Sequence, residues 1–408
     1  MAQPYRSFLK EMMERQHFPE VPYAPGSSDI HEPYDVTGWT LPLLMGVEVS
    51  EARQPLQVEL AEVGEVVWPA LPVPTADVLA LSSNSNVSHK WVNQLLVQGL
   101  KVWRTAEPIE ETALQLASGT WVVEGASATL LAELASQHGL QTIAMAELPN
   151  APLYEIRRAR VGLVKPWRAS MDEGWTRWVL EEYGFGVETL SPNDIHGATK
   201  LQTRFDVIIV PNMKREDLVD GDRNGGFLEK MPPPYDSGIG ARGLLALRAF
   251  VEQGGHLVLL SEAGQAFAKD LKLPVRNAVV DLDQSRYYFP GTLVRMQLDV
   301  DHPLAFGMPA EVAAYHRQGP AWVTHPVAGG ISRLVVARFP DSPPTVLSGW
   351  ARGRSLLRGR GAVVEFNVKQ GKVILVAPRI QHRGQTHATF KLLFNAVHQS
   401  AARLRTAD

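Results

Sequence analysis

RVGLVKPWRASMDEGWTRW, residues 160–178, reads as a buried strand, a polar turn and the first turns of a helix. Val161-Gly-Leu-Val164 is the strand, and Lys165 to Ser170 is the turn. Ser170 and Glu173 have the S-x-x-E spacing of a capping box, in which each side chain satisfies an amide at the helix end. A strand that feeds a helix through a short turn opens a parallel α/β sheet. Such sheets bind ligands at the carboxyl ends of their strands.

Downstream, strands and helices alternate. The pattern predicts a helix over 172–183, strands at Val187–Leu190 and Phe205–Val210, and a Gly/Pro-rich loop from Pro211 to Gly240. A helix over 243–253 stops at Gly254-Gly255, where glycine takes up the left-handed turn that ends helices. Strand Leu257–Leu260, a helix over 264–270, strands Leu293–Val300, Leu334–Ala337, Ala362–Phe366 and Val373–Val376, and a closing amphipathic helix Thr386–Ala402 complete the series. This order specifies an α/β fold with a mostly parallel, doubly wound sheet over 156–405.

Upstream, residues 1–45 read as a connector or extended tail. A helix over Tyr5–Gln16 precedes a stretch with Pro19, Pro22, Pro25 and Pro33, and residues 34–45 are apolar enough to pack on a body. Residues 46–155 read as a smaller α/β domain. Its strands are expected at Val47–Val49, Val66–Leu71, Val78–Leu81, Leu100–Trp103 and Trp121–Val123, its helices at Ser88–Gln98 and Ala128–Gln137, with a linker over 148–154. Residues 78–103 and 161–190 share a strand–turn–helix–strand plan, which raises a duplication of two similar units; generic βαβ grammar gives the same impression.

A chain of 408 residues exceeds one ordinary core, so two or three domains are expected. Net charge is −3, from 40 Lys and Arg against 43 Asp and Glu, and no basic excess argues for a nucleic-acid partner. No apolar run approaches the roughly 18 residues of a membrane helix. The amino terminus carries no apolar signal-peptide core, which leaves the compartment open. Cysteine is absent, which excludes disulfides, thiolate metal sites and a cysteine nucleophile.

Five features invite chemistry. Gly238, Gly240 and Gly243 fit G-x-G-x-x-G, but they follow PPPYDS instead of a strand, so no nucleotide cofactor is expected. His17-Phe-Pro-Glu20 has H-x-x-E spacing inside a proline-rich tail without a rigid element to hold a metal, so no metal site is expected. Ser261-Glu262 directly follows strand 257–260, where many hydrolases place their nucleophile; His382 or His387, after the last strand, could serve as base, or Ser261 or Glu262 could simply cap the next helix. Arg352, Arg354, Arg358 and Arg360 read as a solvated hairpin loop. Trp175 and Trp178 share one helix face and, with Trp167, fit core or interface positions.

AQPYRSFLKEMMERQ (2–16), PYDVTGWTLPLLMGVEV (33–49), RVGLVKPWRASMDEGWTRWVLEEYGF (160–185), DVIIVPN (206–212), HPLAFGMP (302–309) and RIQHRGQTHATFKLLFNAV (379–397) resemble, in this order, the carboxyl-terminal half of large bacterial zinc carboxypeptidases of the carboxypeptidase A type. The resemblance implies a flavodoxin-like domain, similar to class I glutamine amidotransferases, over 156–405. It also implies a zinc peptidase domain upstream, which this sequence lacks. Relatives with that domain are usually exported. The amidotransferase cysteine would fall at Ser261-Glu262-Ala263 and its histidine at Pro378-Arg379. The resemblance therefore implies a non-catalytic accessory region without cofactor or metal, not an enzyme by itself. Its partner would be a zinc carboxypeptidase domain or a second copy, with neither nucleic acid nor membrane involved. The alternatives are a degenerate hydrolase using Ser261 or Glu262 with His382 or His387, and a peptide- or sugar-binding module using the 211–240 loop and the tryptophans.

Overall fold

Val161–Val164, Val187–Leu190, Val207–Val210, His256–Leu260 and Gly371–Val376 pair in parallel, in the order second, first, third, fourth, fifth. This 2-1-3-4-5 arrangement is the doubly wound flavodoxin order. The runs VGLV, VIIV and HLVLL are buried at every position, as a parallel sheet covered on both faces requires. Helices Met171–Glu182, Pro192–His196, Gly240–Glu252 and Phe390–Ser400 supply that cover. The computed structural model describes all residues except 1–3, 28, 53, 55–56, 60, 63, 65–75, 112–113, 139–141, 199, 222–230, 328 and 407–408.

Beyond Gly371–Val376 the sheet turns antiparallel. Gly361–Val368, Ile331–Arg338, Thr292–Leu298 and Glu311–His316 extend it in that spatial order. The sequence pattern locates three of these strands but not Glu311–His316, and it gives no sign of their antiparallel pairing.

The first sheet is antiparallel throughout, with Ala402–Arg405 at one edge, followed by Leu153–Ile156, Lys101–Thr105, Trp121–Glu124, Val78–Leu81 and Thr142–Met145. The expected linker over 148–154 therefore runs into a strand, whose Leu153 and Ile156 are buried. The closing helix ends at Ser400, and the chain then returns to the first sheet. The duplication fails at the level of pairing. Val78–Leu81 and Lys101–Thr105 flank Trp121–Glu124, whereas Val161–Val164 and Val187–Leu190 are direct neighbours. Val47–Val49 forms no strand and is solvent-facing, and the expected strand Val66–Leu71 lies outside the described residues.

The amino-terminal segment lies on the antiparallel extension. The Gln16 amide donates to Ser348 Oγ at 2.9 Å, and the Thr37 amide donates to the Gly291 carbonyl at 2.9 Å. Helix Leu41–Met45 packs Leu44 onto Leu293 and Tyr315. Helix Arg6–Met13, by contrast, buries no residue. Arg352 pairs with Glu32 and Arg354 with Glu20, so two arginines of the expected solvated loop hold this segment down.

Candidate functional site at the carboxyl edge of the parallel sheet

Ser261 follows the fourth parallel strand in a backbone conformation of φ 51°, ψ −119°, a region that non-glycine residues rarely occupy. Strained turns of this kind project the nucleophile of strand–turn–helix hydrolases. The Ser261 amide donates to the Val376 carbonyl at 2.6 Å, which ties the fourth strand to the fifth. Its hydroxyl is fully buried and has no hydrogen-bond partner. Ser261 does not cap the following helix through its side chain, which corrects the capping expectation. The Glu262 amide instead donates to Asn212 Oδ1 at 3.1 Å.

Asn212 begins a network that spans the edge. Its Nδ2 donates to Asp172 Oδ2 at 3.4 Å, and Arg379 Nη1 donates to the same oxygen at 3.3 Å. Asp172 opens the helix after the first strand, Asn212 follows the third, Glu262 follows the fourth and Arg379 follows the fifth. One carboxylate thus joins groups at the carboxyl ends of four parallel strands. Arg379 Nε is buried without a partner, and the Arg379 amide donates to the Tyr315 carbonyl at 2.9 Å. Sequence reasoning misses this network, because Asp172 is absorbed into the expected helix 172–183 and Asn212 into the Gly/Pro-rich loop that starts at Pro211. Their shared signal is position, since each directly follows or opens an element at the ligand-binding edge.

The structure does not bring the candidate bases to Ser261. His382 stacks on Tyr315 at 3.9 Å between ring centroids. Burial, and then the charges of Arg379, Arg383 and Arg317, push its pKa down to about 3. His387 packs on Phe390 at 4.7 Å, and burial lowers its pKa as well. With no partner on Ser261 Oγ, neither imidazole is within hydrogen-bond reach of it. The capping box is half formed: Ser170 Oγ accepts from the Glu173 amide at 3.2 Å, while the Glu173 carboxylate turns to Arg177 at 2.6 Å.

The other motifs resolve into packing. A Cβ on Gly238 would lie 2.2 Å from the Val219 carbonyl oxygen, and one on Gly243 would lie 2.4 Å from Ile239 Cβ, so both glycines permit close approach. Among the described residues no strand leads directly into them. Among the described residues no group of three or more His, Asp or Glu is placed to hold a metal ion, and the Glu20 carboxylate of the HFPE run goes to Arg354. Trp167 Nε1 donates to the Ser237 carbonyl and fixes the start of the turn against the 211–240 loop. Trp175 and Trp178 meet edge to face at 5.8 Å and stay partly solvent-exposed beside Gly384.

No protein family and no curated protein matches the chain. Among solved structures, a cytoplasmic protein from Salmonella typhimurium is 14% identical, with a TM-score of 0.35 over 60% of this chain and 99% of that one. PurLQS from Thermotoga maritima is 14% identical, with a TM-score of 0.39 over 59% and 99%. A ThuA-like protein from Bacteroides uniformis is 14% identical, with a TM-score of 0.34 over 62% and 92%. These are likenesses of fold only. The strand order described above makes the large unit a mixed α/β fold of the flavodoxin-like type.

Proposed function

We propose that this chain is a non-catalytic accessory module, similar to the carboxyl-terminal part of carboxypeptidase A-type zinc carboxypeptidases, that packs against a peptidase domain of that type. The observation that carries this reading is the sealed elbow. Ser261 keeps the strained backbone of a nucleophile, yet its hydroxyl is buried and has no base beside it. Acyl transfer by serine needs a general base within hydrogen-bond reach. At the end of the fifth strand Arg379 stands where an amidotransferase would carry its histidine, and a guanidinium does not accept protons.

The amino-terminal segment supports docking. Phe8, Leu9 and Met13 of helix Arg6–Met13, and Tyr5 just before it, stay in solvent, with Phe8 61% exposed, and Tyr34 is 94% exposed. Apolar side chains left in solvent along one helix suit an interaction site.

The test is an assay of the purified chain on carboxyl-blocked and free peptides, with and without a chelator, followed by titration with a zinc carboxypeptidase A-type domain by sedimentation. The expected outcome is no hydrolysis and a saturable complex. Chelator-sensitive peptidase activity of this chain alone would overturn the reading.

The second reading is a degenerate hydrolase, favoured by the φ and ψ of Ser261. It requires a conformation in which His382 leaves Tyr315. Hydrolysis of activated esters that disappears in Ser261→Ala would establish it.

A further inference from the structure

Arg104 is a buried cation between the two sheets. It is 3% exposed and lies on Lys101–Thr105 of the first sheet. Its Nε donates to the Gly119 carbonyl at 3.0 Å and its Nη1 to Asn395 Oδ1 at 2.9 Å. Its guanidinium also lies over the rings of Trp121 and Phe306, at 4.2 and 5.0 Å. None of these neighbours carries a negative charge, and among the described residues no carboxylate pairs with Arg104. Burial pulls its pKa down to about 9, which still leaves it charged at neutral pH.

The surroundings add positive charge. Lys391 is buried nearby and donates to the Asn84 carbonyl. Burial first, and then the charge of Arg104, lowers the pKa of Lys391 and of His398, and the same two causes act on His89 together with the charge of His398. The nearby Glu365 carboxylate is committed to Lys372 at 2.7 Å, with His302 beside it at 3.7 Å. A buried charge without a counter-charge is costly, and at neutral pH Arg104 keeps its proton and bears that cost.

Beside this cation lies a cavity of about 20 Å³, lined by Arg104, Tyr154, Pro303, Phe306, His398 and Gln399. Two of its lining residues hold buried polar atoms without partners, Arg104 Nη2 and His398 Nε2. The space exceeds the roughly 10–15 Å³ needed for one water-sized occupant.

We propose that this seam cavity binds one compact monovalent anion, chloride or a halide of similar size, held by Arg104 Nη2 with the Tyr154 hydroxyl and His398 Nε2–H beside it. The anion supplies the missing counter-charge. Because Arg104 belongs to the first sheet and His398 to the helix packed on the second unit, it fastens the two together.

The test is thermal unfolding of the full chain in sodium gluconate and sodium chloride mixtures at fixed ionic strength. Chloride is expected to raise the unfolding temperature in a saturable way. Tyr154→Phe should raise the half-saturation concentration several-fold, and Arg104→Met should abolish the chloride dependence. Crystals grown in bromide should show an anomalous peak between Arg104 and His398, a measurement that stands even if Arg104→Met fails to fold. A chloride-indifferent unfolding temperature, an unchanged dependence in Arg104→Met, or a water in place of bromide overturns the proposal.

Discussion

Asp172 and Arg379 meet at 3.3 Å across the carboxyl edge of the parallel sheet, and both side chains are largely buried. The pair joins the first helical turn after the first strand to the loop after the fifth. Removing one partner of such a pair strands the other charge, which is worse than never having had the pair. Asp172→Ala is expected to lower unfolding free energy by about 2 kcal/mol, because Arg379 and Asn212 both lose their acceptor. In the Asp172→Ala background, Arg379→Met should cost less than it does alone. Urea unfolding of the two single variants and the double variant measures the coupling; strictly additive losses mean the pair is not a unit.

Ser261→Gly should stabilise the chain. Glycine adopts φ near 51° without the strain that serine bears there, a strain of about 1–3 kcal/mol, and it removes a buried unpartnered hydroxyl. The opposing entropy cost of glycine is about 0.5–1 kcal/mol. A net gain of about 1 kcal/mol is expected in urea unfolding. A clear loss of stability would show that the hydroxyl has a role the hydrogen bonds do not reveal.

Acid should unfold the chain early. His316, His382 and His398 are held at about 3 and His256 at about 4, in each case chiefly by burial. Their folded values lie below the unfolded value near 6.5, so the unfolded chain binds more protons as pH falls. The stability they contribute is fully present above pH 6.5 and declines below it, by about 1.4 kcal/mol per pH unit for each fully titrating histidine. Glu365, which burial alone would raise, is lowered to about 2 by His302 and Lys372 and adds to the slope below about pH 4.5. Denaturant midpoints measured from pH 8 to 5 should fall steadily below 6.5, and a flat profile contradicts the buried neutral state of these rings.

Phe8→Ser with Met13→Ser should leave unfolding free energy within about 0.5 kcal/mol of the parent, since helix Arg6–Met13 buries nothing against the rest of the chain. The same change should weaken binding to a peptidase domain in sedimentation titrations. Unchanged binding moves the docking surface elsewhere.

The parallel half of the large sheet is legible because VGLV, VIIV and HLVLL are short apolar runs flanked by turn signals. The antiparallel half is only partly so. Val275–Asn277, Trp322–Thr324 and Val346–Ser348 are three-residue strands, too short for any period to register, and pairing direction leaves no trace in composition. Leu153–Ile156 is obscured by the prolines just before it, Pro149 and Pro152. At the candidate site the turn at Ser261 can be read from its place after a strand. The absence of a base cannot, because whether His382 faces Ser261 or Tyr315 depends on tertiary packing. Arg104 gives no sequence signal at all: it stands in an ordinary strand, and its isolation from carboxylates exists only once the sheets are docked.

The strand Ala402–Arg405, laid along Leu153–Ile156, sets an order on biosynthesis. During translation the first unit emerges with the 153–156 edge unpaired, and the segment that covers it is made some 250 residues later. Until then that edge is a template for any extended chain nearby, including neighbouring nascent copies on the same message. The large unit must also assemble before the edge can close, because the last strand arrives tethered to its final helix. Closing of the amino-terminal sheet therefore waits until residues 402–405 have been made and have left the ribosome, and a ribosome stalled shortly before residue 402 would display an open edge.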